Sequence, residues 1–483
     1  MTAYTKRLQK VTAVLCTTAL LAGCAAGTSD NTEPAATAAQ VKAITIEPTA
    51  AYQTINGFGA SACWWSQEVG NWENAKDILS LLYDENSGIG LNIYRYNLGA
   101  GSKDDATITD PDRRAEAFID KDGSYHWERD AAAQNALALA KSMNEDLRVT
   151  LFSNSAPVFY TANGKAYCDY LPDDEKYVTN LEPERYADFA KYSIACAKHF
   201  TEAGYRVTGL SPINEPEWSW RGYEDGTAKQ EGCYYSKTQC RDLYKVFLKQ
   251  MAQEDALKDC RLEGWESGHI GTDTCMAYLK TMFGKSGVNW LKNNALRKGM
   301  PTLALHSYWA SPEEKQAFAD AIATTYGSNY KLALTEYCQM TEDQNSGVYD
   351  LIQKNGMDSG LGMEYGLALA GIIHQDLTVL NAVEWDWWTA CAFGGYTDGL
   401  VDKDSHQVET SKRLWVLGNF SKFTDEGSVR ISITLPKELS DVQSVAFKNP
   451  NGTVTAVFIN NTDKARSTTL ALDGYTRHTT YVT

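Results

Sequence analysis

The chain lacks the sequence patterns that hold metal ions or bind nucleic acid. Its seven histidines are dispersed through 483 residues, and neither HExxH nor CxxC occurs. We therefore expect no metal and no cofactor. The formal net charge is −16, from 45 basic and 61 acidic side chains, and no run of basic residues interrupts the acidic excess. Because such a surface repels polyanions, nucleic acid is not expected as a partner.

Regularly spaced cysteines are also lacking, although the chain contains 11 of them. Several lie inside apolar runs, where a thiol behaves as a small hydrophobic side chain. We therefore expect mostly free core thiols rather than a disulfide framework, and the sequence alone assigns no pairing.

The N-terminal apolar stretch, residues 11–21, is too short to span a bilayer as a stable anchor. It follows three basic residues, which is typical of an export signal. The signal ends in LAGC, which resembles a bacterial lipobox in which Cys24 is lipidated and becomes the first mature residue. We expect a signal peptide over 1–23, a low-complexity tether over 24–42, and an exported protein held on the bacterial surface by a lipid anchor. An ordinary cleaved signal with an incidental cysteine is the alternative.

Short runs of β-branched and apolar residues alternate with stretches of helical periodicity, which is typical of repeated βα units. Eight strands are predicted, at Thr54–Ala60, Leu91–Leu98, Leu147–Asn154, Val207–Asn214, Arg261–Glu266, Thr302–Trp309, Lys331–Tyr337 and Ala382–Trp388. Helices are predicted at Asn74–Glu85, Ala131–Met143, Pro183–Ala203, Lys237–Glu254, Pro312–Tyr326, Met363–His374 and Ser411–Phe420. Eight such units predict an α/β fold, a (β/α)₈ TIM barrel over residues 54–423.

The pattern changes after Phe423 to alternating strands separated by turns, among which Asn451-Gly452 is a strong hairpin signal. A β-sandwich side domain over residues 424–483 is the prediction. The early apolar run within residues 43–53 is expected to add a strand to this sandwich before the barrel begins.

Two glutamates follow strand-like apolar runs, Glu215 in LSPINEPEW and Glu336 in LALTEYCQM. They end the fourth and seventh predicted strands, and residues at the carboxyl ends of barrel strands converge at one mouth. Hydrolysis of a glycosidic bond with retention needs two carboxyl groups about 5 Å apart, one to protonate the leaving oxygen and one to attack the anomeric carbon. The sequence therefore predicts a glycosidase pair.

Six ordered motifs carry a family resemblance: INGFGASACWW, NIYRYNLGAG, LFSNSAPVFYTANG, LSPINEPE, HSYW and EWDWW. Together they resemble glycoside hydrolase family 30, over about residues 43–480. One departure is SAPVFYT, from Ser155 to Thr161, where the family usually has SPPxWM. No sugar-binding inference is therefore drawn from that loop.

The resemblance implies that Glu215 is the acid/base and Glu336 the nucleophile. The acid must carry a proton, which the negative field of a nearby carboxylate favours, and it can act as a base once the nucleophile is neutralised as a glycosyl ester. Asn214 is expected to donate to the sugar 2-hydroxyl; a turn residue is the alternative. Arg95 on the second strand is expected to pair with Glu336, with a salt bridge to some structural carboxylate as the alternative.

The remaining candidates come from strand ends. Tyr308 is expected to hydrogen-bond Glu336 and His306 to line the same wall, although either could be a core residue. Asn154 is a candidate hydroxyl ligand. Glu266 is interpreted as a lining or structural carboxylate.

Aromatic residues make up 11% of the chain, enough for sugar-stacking surfaces as well as core packing. Strand alternation places Trp385 and Trp387 on one face and Trp388 on the other. Trp387 and Trp64 are the predicted sugar-facing residues.

The substrate expected from the resemblance is a β-linked polysaccharide or oligosaccharide. The GFGASACWWSQEVG segment and the QEGC run from Gln230 look most like family members that act on β-1,6-galactan side chains of arabinogalactan. β-1,6-Glucan, xylan and glucosylceramide are the alternatives, and a glycan-binding surface lipoprotein without catalysis is the non-enzyme alternative. Transglycosylation would use the same residues.

Overall fold

The computed structural model describes residues 43–173, 176–284, 290–325, 327, 330–356, 361–392, 398–403, 408–472, 474–475 and 477–483. The signal peptide, the tether and Cys24 lie outside these residues and stay predictions. Among the described residues, no helix has both the length and the apolar character needed to cross a membrane.

Eight parallel strands form the barrel, and β1 (Ile44–Thr54) before them belongs to a second sheet. The barrel strands are β2 (Gly57–Ser61), β3 (Ile93–Asn97), β4 (Arg148–Phe152), β5 (Arg206–Ser211), β6 (Arg261–Leu262), β7 (Thr302–His306), β8 (Lys331–Glu336) and β9 (Glu384–Ala392). Neighbours pair in chain order from β2 to β6 and from β7 to β9, and β9 pairs with β2. The predicted TIM barrel is confirmed.

The fifth barrel strand is shorter than predicted. Its ladder ends at Leu262 because the backbone turns to positive φ at Gly264 and Glu266. The segment still runs beside β7, since Trp265 bridges to Ala304 and the Glu266 N–H donates to the Ala304 carbonyl at 2.7 Å. These bonds close the barrel between β6 and β7.

The helices cover the outside of the barrel. They are α1 (Ser66–Val69), α2 (Ala75–Tyr83), α3 (Ala131–Met143), α4 (Tyr186–Glu202), α5 (Lys237–Met251), α6 (Asp273–Phe283), α7 (Trp290–Gly299), α8 (Pro312–Thr325), α9 (Val348–Asn355), α10 (Met363–Thr378) and α11 (Lys412–Ser421). Four of these helices, α1, α6, α7 and α9, were not predicted from the sequence. A start signal for α6 was present, because the Thr272 hydroxyl accepts from the Cys275 N–H at 3.2 Å as an N-cap.

A second sheet uses both ends of the described chain. Besides β1, it contains β12 (Val429–Thr434), β13 (Val442–Lys448), β14 (Val454–Asn460) and β15 (Leu470–Ala471), in the order β14-β13-β12-β1-β15. Two further short strands, β10 (Gly399–Asp402) and β11 (Glu409–Thr410), extend the barrel sheet instead. β1 runs antiparallel to β12, with Thr45 opposite Thr434. The sheet packs on α10, where His374 Nε2 lies 3.1 Å from the Ser444 carbonyl.

Thiols lie in the core. The nine cysteines within the described residues are all buried and free of disulfides, which confirms the expectation for that part of the chain.

Charged groups fill part of the barrel interior near the amino ends of the strands. Glu384 is fully buried, and one of its carboxylate oxygens lies 3.4 Å from Arg148 Nη2 and 3.3 Å from Arg261 Nη2. Arg261 also contacts Glu263 at 2.7 Å. Because these charges are withheld from water, each depends on its partners for compensation.

Replacing Glu384 with Gln should destabilise the fold by about 3–5 kcal/mol, because two arginines lose a buried partner. Urea unfolding measures the change. Asp188→Asn is the matched control, since Asp188 pairs with Arg185 on the exposed surface at 2.9 Å and such pairs contribute about 0–1 kcal/mol. Equal stability of the two variants would contradict the interpretation.

Candidate active site

Glu215 lies just beyond the carboxyl end of β5, in a constrained backbone conformation. Its φ is 43°, in the left-handed region, and its N–H donates to the Glu266 carbonyl at 2.9 Å. The indole Nε1 of Trp220 donates to the Glu215 carbonyl at 2.8 Å. Backbone bonds on both sides of the residue therefore fix where its side chain begins.

Glu336 is the last residue of β8 and its side chain lies at the barrel mouth. One carboxylate oxygen accepts from Arg95 Nη1 at 2.6 Å, and the other accepts from the Tyr308 hydroxyl at 3.0 Å. Both predicted partners of Glu336 are therefore present. These donors leave the carboxylate little freedom to rotate.

The two glutamates meet as the strand count predicts. One carboxylate oxygen from each, together with a ring nitrogen of His306, lie within 4.8 Å of one another. Oxygens this close agree better with the separation of about 5–5.5 Å between the carboxyl groups of retaining enzymes than with the roughly 6.5–9.5 Å of inverting ones.

Arg95 connects Glu336 to Asn214. It is fully buried on β3, its Nη2 donates to the Asn214 Oδ1 at 3.1 Å, and its guanidinium lies 3.7 Å from the ring centroid of Phe152. Because the amide oxygen of Asn214 faces Arg95, its amide N–H₂ is free to point toward a ligand. Arg95 is thus a positioning residue that orients two site side chains.

His306 lies between carboxylates rather than merely along the wall. Its Nδ1 is 3.1 Å from Glu215 and 3.7 Å from Glu336, and its Nε2 is 3.2 Å from Glu266. Burial alone would lower the pKa of His306, but the surrounding carboxylates, Glu336 first, raise it to about 10. The ring is therefore an imidazolium at neutral pH, and both nitrogens donate.

Glu266 is the anchor beneath His306. It is fully buried, and it accepts hydrogen bonds from the hydroxyls of Ser211 at 2.6 Å and of Thr335. Burial opposes its charge, but the bond from His306 and the nearby Arg95 hold its pKa at about 2. Glu266, which the sequence predicts to be a lining or structural carboxylate, orients the His306 ring and favours its protonated form.

Opposing influences act on the charge of Glu336. Burial, the largest of them, raises its pKa above the usual range, and Glu215 adds to this effect. The positive charges of His306 and Arg95 lower the pKa again. Ionisation of Glu336 therefore depends on those two cations.

A metal ion could be held here by spacing alone, since Glu215, His306 and Glu336 each offer one ligand atom in the same small volume. The charges do not favour one. A metal ion would have to displace the contacts of His306 with both glutamates and the ion pair of Arg95 with Glu336. We therefore assign no cation to this site.

Two other predicted residues lie nearby. Asn154 is buried, and its amide approaches Asn97 Oδ1 at 3.4 Å and the Cys63 sulfur at 3.8 Å. Trp64 is partly buried and lines a cleft at the mouth, where the Arg113 guanidinium lies 4.8 Å from its ring centroid.

The prediction for Trp387 was wrong. Glu384 points into the barrel, so alternation along β9 places Trp387 on the outer face of the strand. The Trp387 side chain is fully buried, and its Nε1 donates to the Asp398 carbonyl at 2.6 Å. It supports the wall and exposes no face to a sugar.

Trp388 occupies the position that Trp387 was expected to fill. It lines the same cleft as Trp64, and the two rings meet edge to face at 5.4 Å. Trp218 and Trp309, which line a second cleft beside Glu215, were also missed. Trp218 follows Glu215 by three residues in NEPEW, so the signal was in the sequence.

The barrel, the paired carboxylates at its mouth and their cationic partners define the class of a glycoside hydrolase. Residues 41–402 match the model of O-glycosyl hydrolase family 30, and residues 427–481 match the β-sandwich domain of that family. The chain therefore belongs to glycoside hydrolase family 30.

Two curated relatives have names that refer to β-1,6-linked galactose. An endo-β-1,6-galactanase of Hypocrea rufa is 30% identical over 218 residues, which are 40% of this chain and 43% of the relative. An exo-β-1,6-galactobiohydrolase of Bifidobacterium longum is 27% identical over 247 residues, 38% of this chain and 16% of the relative. The chain thus matches less than half the length of either.

Solved structures share the fold over most of the chain. A conserved exported protein from Bacteroides fragilis superposes with a TM-score of 0.74 at 24% identity, covering 90% of this chain and 92% of that one. An endo-β-1,6-glucanase gives 0.65 at 19% identity, with coverage of 91% and 92%. At these identities the likeness concerns the fold alone.

The protonation of His306 can be tested by titration. Its pKa is raised from 6.5 to about 10, so the imidazolium contributes to folding stability fully below pH 6.5, and this contribution is lost as pH rises through about 10. NMR of ring-labelled histidine should show one resonance that titrates near 10 and is absent from His306→Asn. In Glu266→Gln the resonance should titrate at lower pH. Titration of wild-type His306 near 6.5 would contradict the assignment.

Proposed function

We propose that this enzyme is a retaining β-glycosidase, that Glu336 is its nucleophile and Glu215 its acid/base, and that its substrate is the β-1,6-galactan side chain of arabinogalactan. The observation that carries the catalytic assignment is the close pair of carboxylates with unlike partners. Glu336 faces fixed cationic and hydroxyl donors. Glu215 shares one oxygen with His306 and has its other oxygen available.

In the first step, Glu336 attacks the anomeric carbon while Glu215 protonates the departing glycosidic oxygen. The bond from His306 to one oxygen of Glu215 holds the other oxygen, which carries the proton, toward the leaving group. A covalent glycosyl ester on Glu336 results. Asn214, oriented by Arg95, donates to the 2-hydroxyl, a contact that strengthens as the sugar becomes oxocarbenium-like.

In the second step, water attacks the same carbon from the side vacated by the leaving group. Glu215, now a carboxylate, accepts a proton from this water, and the ester bond to Glu336 breaks. The sugar leaves with its original anomeric configuration. Arg95 and Tyr308 stabilise the carboxylate of Glu336 as it is released.

The substrate proposal is supported by the two named relatives and by the placement of the segments that resemble galactan-acting members. Trp64 in the first segment lines one cleft at the mouth, and Gln230 in the second lines the other. Glu231 next to it is fully buried and accepts from the Ser102 hydroxyl at 2.6 Å, which ties the loop after β5 to the loop after β3. The segments behind the resemblance therefore line the barrel mouth, which supports the galactan proposal.

We also propose that the enzyme works outside the cytoplasm, lipid-anchored through Cys24. The support is the export signal, its LAGC end and the low-complexity tether. Arabinogalactan is too large to enter a cell unaided, so an enzyme for it is expected at the surface.

Replacing Glu215 with Ala should lower turnover of the natural glycan by about 10²–10⁴-fold, because the proton donor is lost. A 2,4-dinitrophenyl glycoside needs little protonation, so formation of the glycosyl ester should be largely spared. Glu336→Gln should lose activity on both substrates. Equal losses on both substrates in Glu215→Ala would remove Glu215 from the acid role.

A product profile tests the substrate and the stereochemistry together. The wild-type enzyme should release galactose oligosaccharides from de-arabinosylated arabinogalactan faster than it releases products from β-1,6-glucan or glucuronoxylan. NMR of the first product should show the β anomer before mutarotation. Preference for glucan or xylan would overturn the galactan proposal, whereas an α anomer would overturn the double displacement.

A further inference from the structure

The turn that follows β6, residues 266–268, contacts the candidate acid at two points, and we call it the acid-contact turn. The Glu266 carbonyl accepts from the Glu215 N–H at 2.9 Å, which fixes the backbone of the acid. At Gly268 the turn approaches the carboxyl group, since a β-carbon placed there would lie 2.6 Å from Glu215 Oε1. The position of the turn therefore limits where this carboxyl group can lie.

Glu217, which follows the acid closely in NEPEW, binds the acid-contact turn. Its Oε1 accepts from the Ser267 hydroxyl at 2.5 Å and from the Gly268 N–H at 2.7 Å. One oxygen thus binds two donors on adjacent residues. Hydrogen bonds to an ionised carboxylate are shorter and roughly twice as strong as those between neutral groups. Glu217 therefore ties the turn to the loop that carries the acid.

Strand β7 holds the other part of the turn through backbone bonds. The Glu266 N–H donates to the Ala304 carbonyl at 2.7 Å. The His306 N–H donates to the Ser267 carbonyl at 2.9 Å. The next N–H along the turn is the one that the Glu217 side chain accepts. At the glycine beneath the acid, a side chain therefore does what the neighbouring strand does for the rest of the turn.

The carboxyl group of Glu217 is placed at a cost to stability. Its Oε2 is shielded from solvent and has no hydrogen-bond partner among the described residues. Burial raises the pKa of Glu217 above its usual range, and the bonds from Ser267 and Gly268 lower it again. These donors thus offset part of the desolvation cost of the charge. Carboxyl groups kept in such unfavourable surroundings are concentrated at functional sites.

We propose that Glu217 is a positioning residue for the acid/base: by binding Ser267 and Gly268, it sets the surface against which the Glu215 carboxyl group is held toward the glycosidic oxygen. This inference rests on the acid role proposed for Glu215. Proton transfer needs a separation of about 2.6–3.2 Å between the two oxygens. A displacement of about 1 Å can cost on the order of 10²-fold in rate, so the position of the turn matters for proton donation.

A series of aryl β-glycosides tests the proposal, because their phenols need protonation to different degrees. The sugar is the one that the wild type hydrolyses best in the product profile. Glu217→Ala should lower kcat/KM by roughly 10- to 100-fold for the least acidic phenols and by less than about twofold for 2,4-dinitrophenol. A plot of log kcat/KM against the pKa of the phenol should therefore be steeper than for the wild type. A merely structural role would lower all points equally.

Two further variants separate position from other effects. Glu217→Gln keeps an acceptor oxygen for both donors, so it should recover the wild-type slope. Gly268→Ala keeps Glu217 but places a methyl group against the Glu215 carboxyl group, so it should give a slope as steep as that of Glu217→Ala. Gly268→Ala also decides the matter if Glu217→Ala does not fold.

Glu116→Ala is the matched control. Glu116 is also a carboxylate that accepts a backbone N–H, from Asp130 at 2.5 Å, but it lies in the loop after β3 and is not among the described lining residues of the cleft beside Glu215. Its slope should equal that of the wild type.

The proposal is overturned by a wild-type slope in Glu217→Ala or Gly268→Ala, or by a steep slope in Glu217→Gln. Glu215→Ala, measured in the same series, separates the two levels of inference. A wild-type slope in Glu215→Ala would refute the acid role itself. A steep slope there, combined with a wild-type slope in Glu217→Ala, would refute the positioning role alone.

Discussion

The site depends on one constraint, the balance of charge in a cluster that has little water to screen it. Arg95 and protonated His306 supply two positive charges, and Glu266 and Glu336 supply two negative ones. The cluster is neutral when Glu215 carries a proton. When Glu336 becomes an ester, it loses its charge as Glu215 gains one, so neutrality is kept through the reaction. In a medium of low dielectric, a step that leaves the net charge unchanged avoids a large electrostatic cost.

The barrel fold holds the members of this charged cluster in position. Each member comes from a different strand or the turn just after it, and each is held by bonds that do not involve the substrate. Glu266 has Ser211 and Thr335, and Glu336 has Tyr308, so the carboxylates are oriented before binding. Such preorganisation is the main contribution that a protein can make to stabilising charge in a transition state.

Much of this arrangement could be predicted from the sequence, because buried parallel strands leave apolar runs and their last residues share one mouth. Glu215, Glu336 and the contacts of Arg95 and Tyr308 followed from counting strands. The sequence could not show that His306 lies between three carboxylates, since its charge results from distances across the barrel. Alternation along a strand does not say which of its faces is inward, so Trp388 could not be distinguished from Trp387 by sequence; Glu384 points inward, and Trp388 lines the cleft. The early end of β6 could not be predicted because it results from two positive φ angles, one of them at a glutamate, that end the hydrogen-bond ladder.

The second sheet has a consequence for how the molecule is assembled. β1 is synthesised before the barrel and β12 after it, yet Thr45 and Thr434 are direct neighbours. Contacts so distant along the chain form slowly, because a long loop must close before they contribute stability. Neighbouring barrel units make contacts that are close along the chain, but the small sheet must wait for its last strands. Until then both edges of β1 lack the strands that pair with them in the folded protein, so this segment can pair with another chain.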